Sequence, residues 1–290
     1  MRLERKHYLV LLGPTLLVLL ALLLYPTGYV LVVSFRDYEL TDPAAGSPFV
    51  GFENYTMLLT DPTFFTALWK SIVFTVGSVA LSFVIGLAIA LLLSRRDLRG
   101  TGFTRTAILI PMILTPMVIG AVFRFMLERD NGIINQILGL VGIERYPFLA
   151  DPTWAMVSII LVDVWQWTPF AVLVLLAGLE SLPEEPFEAA RVDGATRWTE
   201  FRYITLPLLA APIAVVLLIR TMDAFREFDK IFIMTAGGPG VATETLPLFL
   251  YRAGFQDFDM GLSAATGVIM LIIVTLVSLF YVRQIHSTEE

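Results

Sequence analysis

Six apolar stretches, each long enough to cross a lipid bilayer, divide this chain: roughly Tyr8–Phe35, Ala67–Leu93, Thr106–Leu127, Trp154–Leu179, Leu208–Met234 and Leu262–Val282. As helices rising about 1.5 Å per residue, each spans about 30 Å. Hydrocarbon offers backbone N–H and C=O groups no outside partner, so segments of this length cross it as helices. Composition agrees, with 57% hydrophobic and 16% charged residues, where a soluble domain carries about a quarter charged. The chain therefore reads as an all-α polytopic membrane protein with six transmembrane helices, and residues 1–290 read as a single transmembrane domain. The first stretch is too long for a secretory signal, and no small-x-small cleavage site follows it, so it reads as a retained span.

Several function classes fall away. Cysteine is absent, which removes disulfides, thiol nucleophiles and Cys metal sites. The histidines, His7 and His286, lie near opposite ends, leaving little for zinc or haem. A net charge of −6 without a basic stripe argues against a nucleic-acid partner. Lys6, Lys70 and Lys230 are the lysines, and none sits in a Gly-x4-Gly-Lys-Ser/Thr loop, so the sequence holds no cradle for nucleotide phosphates. No nucleophile elbow or catalytic histidine within a span supports a membrane enzyme.

Lys and Arg in the short loops set orientation. With the N-terminus inside, the inner segments hold Arg2, Arg5, Lys6, Arg95, Arg96, Arg99, Arg105, Arg191, Arg197, Arg202 and Arg283, eleven in all. The outer loops hold four, Arg36, Arg129, Arg145 and Arg252. Both termini are thus expected in the cytoplasm. In the second span Ser78, Ser82, Gly86 and Ala90 recur every four residues, which lines up small side chains for close helix approach. Pro111, Pro116 and Pro169 should kink their spans, as a gating hinge or as shape alone. Asp42-Pro43 and Asp61-Pro62 mark an outer loop, and Ile133, Ile134, Ile137, Leu138 and Val141 have helical spacing suited to the outer interface.

The longest inner loop, 180–207, reads ESLPEEPFEAARVDGATRWTEFRYITLP. Pro186 suits a first helical turn and Glu184 and Glu185 its positive end, giving a helix to about Val192. Asp193-Gly194 supplies a turn of positive φ, and Thr196 can cap a second helix through Arg202. Glu188-Ala189-Ala190, three residues, Gly194, nine residues, then Ile204-x-Leu206-Pro207 resembles the EAA loop of binding-protein-dependent ABC permeases. A second match follows the fifth span: Phe228-Asp229-Lys230, then Thr235-Ala236-Gly237-Gly238-Pro239-Gly240 and Thr243-Glu244-Thr245. It is similar to the GGP loop of the sugar branch related to maltose and glycerol-phosphate importers, and Gly132-Ile133-Ile134-Asn135 with Leu138-Gly139 looks like that branch's third outer loop.

The resemblance implies a type I ABC importer permease in a bacterial or archaeal inner membrane, forming half of a translocation pathway for a sugar or polyol. It implies as partners a second permease, two ATPase subunits and an extracytoplasmic substrate-binding protein. ATP and Mg are then used by those ATPase subunits, with no cofactor bound by this chain. Glu188, Ala189, Ala190, Asp193, Gly194, Ile204, Leu206 and Pro207 become the ATPase-coupling residues, and Gly237, Gly238, Pro239 and Gly240 a loop facing the binding protein. An ABC permease for a non-sugar solute is one alternative. An ion-driven secondary transporter is the other, which would show inverted repeats or broken helices in both halves and has no use for an EAA loop.

Ionisable groups inside spans are expensive and point to pathway residues. Arg220, Asp223, Arg226, Glu227, Asp229 and Lys230 crowd the fifth stretch. Arg220 lies about 18 Å from its inner end and Asp163 about 14 Å from the outer end of the fourth, depths that permit a pair. Asp163, Trp165, Trp167, Arg220, Asp223, Phe225 and Glu227 are the candidate pathway residues. An ion-pair network serving structure is the competing reading of the charges, and helix packing that of the aromatics.

Overall fold

The structure is a computed structural model that describes residues 5–42, 46–94 and 101–289, with side chains over 12–42, 46–94 and 105–283. Arg2, Pro43, Arg95, Arg96 and Arg99, and the side chains of Arg5, Lys6, His7 and His286, lie outside the described residues. In chain order the helices are α1 (Arg5–Val33), α2 (Glu53–Thr60), α3 (Pro62–Leu93), α4 (Thr101–Ile108), α5 (Ile110–Ile113), α6 (Pro116–Met126), α7 (Ile133–Leu140) and α8 (Pro152–Glu180). There follow α9 (Glu185–Val192), α10 (Arg197–Glu200), a π-helical turn (Phe201–Thr205), α11 (Leu206–Leu208), α12 (Ala210–Phe225), α13 (Asp229–Thr235), α14 (Leu246–Phe255) and α15 (Met260–Glu289). Among the described residues, extended pairing is confined to isolated bridges, Arg36 with Phe49 and Glu39 with Asp259.

Among the described residues, four helices are long and apolar enough to cross a membrane, within α1, α3, α8 and α15. The other two expected spans depart from single helices. Thr106–Leu127 is not continuous: Pro111 enters the first turn of α5 and Pro116 opens α6, with Leu114 and Thr115 extended between them. Proline lacks the N–H and clashes with the preceding turn, and it drives the residue before it out of the helical region. Two prolines five apart thus end helices here, where a kink was expected. Leu208–Met234 is also interrupted. The segment Arg197–Leu208 meets α12 at a bend of 66°, and α12 stops at Phe225 before α13 begins. Pro169 leaves α8 unbroken.

The chain gathers into two compact units, Met1–Phe65 with Phe249–Ile272, and Thr66–Leu248 with Ile273–Glu290. In the first, buried Asn54 donates to Ser34 O at 3.0 Å and Arg36 O at 2.9 Å, satisfying carbonyls left open where α1 ends. Gly261 belongs there because a Cβ would lie 2.3 Å from Arg36 O. Asp259 caps α15 by accepting from Leu262 N at 2.8 Å. Burial pushes its carboxyl above the usual range, and the charges of Asp37 and Glu39 add to the shift. From Pro14 to Val32, α1 presents exposed side chains throughout, an apolar surface that requires lipid or another chain to cover it.

In the second unit, small residues bring α3 and α8 together. Ser78, Ser82, Gly86 and Ala90 are all buried, and a Cβ on Gly86 would lie 2.6 Å from that of Ala171. Beside them Leu93, Val172, Leu175, Leu176 and Val216 form an apolar core shared by α3, α8 and α12. On α7, buried Asn135 exchanges hydrogen bonds with the Tyr146 backbone at 2.9 and 3.0 Å, while Ile133, Ile137, Leu140 and Val141 stay exposed.

Candidate functional site

A buried cluster of charged side chains lies where the interrupted helices meet α8. Three sequence pairs at i, i+3 supply it: Asp163 with Gln166 on α8, Arg220 with Asp223 on α12, and Glu227 with Lys230 at the start of α13. That spacing puts both members of the first two pairs on one helical face, while Glu227 stands two residues before α13 and reaches its first turn. Arg220 Nη2 lies 2.6 Å from Asp163 Oδ2, so the pair that the depths permitted is present. Lys230 Nζ lies 2.6 Å from Oδ1, as an ion pair without the alignment of a hydrogen bond. Ser78 of α3 donates to Asp163 Oδ2 and accepts from Arg220 Nη2 at 3.0 Å. Lys230 Nζ further reaches Glu227 Oε2 at 2.9 Å and Gln166 Oε1 at 2.8 Å.

The network also serves the helix breaks. Gln166 Nε2 donates to Leu114 O at 3.1 Å in the interruption between α5 and α6. Glu227 Oε1 accepts from Lys230 N at 3.0 Å, at the first turn of α13. Arg220 packs over Trp167 with its guanidinium carbon 5.0 Å from the ring centroid. Arg220, Lys230 and Asp163 are at most 1% exposed and Glu227 9%. Two positive and two negative charges make this inner set neutral, which is how buried ions offset their desolvation. Arg220 Nε and Trp167 Nε1 are buried donors without a partner. At the rim, Asp223 bridges Arg220 Nη1 at 3.3 Å and Arg226 Nη2 at 3.2 Å, with Asp223 24% and Arg226 72% exposed.

Of the expected pathway residues, Asp163, Trp167, Arg220, Asp223 and Glu227 come together. Trp165 does not join them: it is exposed and meets Phe123 edge-on at 5.3 Å. Phe225 is buried outside the network. Ser78, Gln166 and Lys230 were absent from the candidate set; the i, i+3 regularity would have found the last two, and Ser78 sat in the small-residue stripe.

The loop between α8 and α12 has the expected helix-turn-helix form. Pro186 lies in the first turn of α9, Gly194 turns the chain at φ +75°, and Thr196 Oγ1 caps α10 by accepting from Thr199 N at 3.3 Å. Arg191 pairs with Glu200 at 3.7 Å across the turn. Glu188, Ala189, Asp193, Gly194 and Pro207 are exposed, Ala190, Ile204 and Leu206 half-buried, and Val192 89% exposed. Behind α9, a cleft of about 820 Å³ is lined by Arg105, Glu180, Glu184, Glu188 and Arg191, with Arg105 and Glu180 2.5 Å apart.

After α13 the glycine loop is tightly self-bonded. Ala236, Gly237 and Gly240 have positive φ, Gly238 N donates to Thr235 O at 2.9 Å, and Thr243 Oγ1 to Gly238 O at 2.9 Å. Gly237 is buried and Gly238 and Pro239 half-buried, so Gly240 and Val241 form the exposed tip.

Residues 82–288 match the family described as binding-protein-dependent transport system inner membrane component. The chain is 34% identical to the sulfoquinovosyl glycerol transport system permease protein of Agrobacterium fabrum, over 99% of this chain and 92% of that protein. It is equally 34% identical to the trehalose/maltose transport system permease protein of Thermococcus litoralis, over 97% and 94%. Its fold is similar to a chain in the crystal structure of a bacterial ABC transporter that imports alginate, with TM-score 0.81, 24% identity and coverage of 98% and 96%.

Proposed function

Because this chain belongs to the binding-protein-dependent transport system inner membrane components, we propose that it is the permease subunit of an ATP-driven importer of a sugar or polyol, coupled to its ATPases through the loop 180–207. Membership makes it a multi-pass membrane transport subunit; the cargo and the residue roles are our reading. Relatives named for sulfoquinovosyl glycerol and trehalose/maltose transport support a carbohydrate cargo. Residues 1–290 act as one permease domain, paired with a second permease, two ATPase subunits that use ATP and Mg, and an extracytoplasmic binding protein. Both termini lie in the cytoplasm.

The observation that carries this reading is the helix-turn-helix after α8. Glu188 and Ala189 stand exposed on α9, and Asp193 and Gly194 form the exposed turn beside them. Small alanines allow close approach, and the free carboxylate of a docking helix pairs with an arginine across an interface. The adjoining Pro207 and the bend at Leu209 join the loop to α12, so a push on α9 reaches the helix that carries Arg220 and Asp223. Alternating access then follows as rocking of packed helices about a central cavity. Asp163, Trp167, Arg220, Asp223 and Glu227 border that pathway, with Gly237–Gly240 toward the binding protein.

The test is ATPase activity of the complex that copurifies with this chain, assayed with its binding protein and a panel of sugars. One sugar should stimulate hydrolysis, and Glu188→Ala should cut that stimulation about tenfold, the size expected for loss of a charged interfacial hydrogen bond. No copurifying ATPase, or intact transport in Glu188→Ala, would overturn the reading.

A further inference from the structure

The second half of the coupling loop differs in chemistry from the first. α9 is acidic at its start, with Glu185 and Glu188 in the first turn. The segment Arg197–Leu208 instead exposes Trp198 (66%) and Tyr203 (68%), with Arg197 and Arg202 exposed beside them. The Arg202 guanidinium lies 5.8 Å from the Tyr203 ring centroid. Its acid, Glu200, faces the other way, half-buried and paired with Arg191. Phe201, Ile204 and Thr205 turn inward, so the outward face carries aromatics and cations and no carboxylate. This segment meets α12 at 66°. Where α12 crosses the bilayer at the usual tilt of about 20°, such a segment lies closer to the membrane plane than to its normal.

We propose that Arg197–Leu208 is an interfacial anchor that binds anionic phospholipid headgroups of the inner leaflet through Arg197, Trp198, Arg202 and Tyr203. Aromatic rings with one polar edge settle at the headgroup level, and arginines beside them meet an anionic surface. The coupling loop then has two faces, an acidic one for its protein partner and a cationic–aromatic one that holds its base against the bilayer. This rests on the cytoplasmic placement of the loop.

The chain has no cysteine, so Thr199→Cys, exposed on the same face and outside the four anchoring residues, introduces its one thiol for a nitroxide label. Tyr203→Cys serves if the first variant does not assemble. The whole transporter is reconstituted in nanodiscs of phosphatidylcholine alone or mixed equally with phosphatidylglycerol, with the transporter lacking the introduced cysteine, taken through the same labelling, as background. The label should be shielded from a water-soluble relaxant and open to oxygen, more so with phosphatidylglycerol. Arg197→Gln and Arg202→Gln should each lower the docked-to-free ratio about fivefold, the factor one charge is worth near an anionic leaflet. Equal water access in both bilayers, or shielding already complete in lipid-free detergent, would overturn the proposal, the latter by giving the face to a partner subunit. Glu188→Ala reports on coupling independently, because it leaves this face and its label depth untouched.

Discussion

Replacing Lys230 with methionine removes a fully buried cation that contacts Asp163, Glu227 and Gln166 together, at 2.6, 2.9 and 2.8 Å. Methionine keeps most of the volume, so the change is one of charge: the neutral inner set of Asp163, Glu227, Arg220 and Lys230 is left at −1. Breaking a buried pair by deleting one partner costs about 3–5 kcal/mol, because the survivor stays buried without compensation. Asp163 still holds Arg220 and Ser78, which places the expected loss near the lower end, about 3 kcal/mol, or about a hundredfold in the folding equilibrium. Unfolding of the purified chain in mixed micelles, titrated with denaturing detergent and followed by tryptophan fluorescence, measures it. Adding Glu227→Gln restores neutrality and should recover 1–2 kcal/mol, roughly the coupling expected of contacting residues. A Lys230→Met variant within about 0.5 kcal/mol of the parent, or strict additivity in the double variant, refutes the claim that these charges hold the helices together.

Asp223→Asn, at the half-exposed rim, should leave unfolding within about 0.5 kcal/mol of the parent while lowering transport of the cognate sugar about tenfold, as expected for a lost charged hydrogen bond to cargo; unchanged uptake in reconstituted vesicles would make the residue purely structural. Asp259 titrates above the ordinary carboxylate range in the folded chain, so as pH rises from the usual aspartate value of about 3.9 the unfolded chain gives up this proton first and stability falls toward the raised folded value. Asp259→Asn keeps the cap on α15 and should flatten that part of the pH–stability curve; an unchanged slope contradicts the assigned burial.

What could be read from the residues follows the physics each signal carries. Four apolar runs became single long helices because hydrocarbon leaves the backbone no other way to satisfy itself. The loop 180–207 was legible almost residue by residue, since Pro186, Gly194 and Thr196 act through local backbone geometry that needs no tertiary context. The breaks were not. Pro111 and Pro116 signal a disturbance, but whether a helix bends or ends depends on whether something receives the freed carbonyls, and Gln166, which takes Leu114 O, is 52 residues away. The fifth stretch misled in a related way: the charged run Arg226–Lys230 sits between apolar flanks and reads as the polar middle of one span, whereas Glu227 there accepts from Lys230 N and starts a new helix. Among the aromatics, Trp167 and Trp165 are two apart on α8 and so point to different sides, one under Arg220 and the other against Phe123.

The two oddities of this fold, charges in the apolar interior and interrupted helices, account for each other. An interrupted helix in hydrocarbon exposes N–H and C=O groups at a cost of several kcal/mol each unless polar side chains meet them. The groups that meet them here, Gln166 and Glu227, are themselves bound to Lys230, and Lys230 is held by Asp163, which is held in turn by Arg220 and Ser78. Removing Lys230 therefore strips Asp163 and Glu227 of a counter-ion and loosens Gln166 and Glu227, the two side chains that meet the helix ends. Such an arrangement is stiff at its centre and free at its rim, where Asp223 and Arg226 reach solvent from the end of α12. A helix that must transmit a push from the loop at its start needs that stiffness behind it, and a pathway that must release its cargo needs the adjustable contacts at the edge.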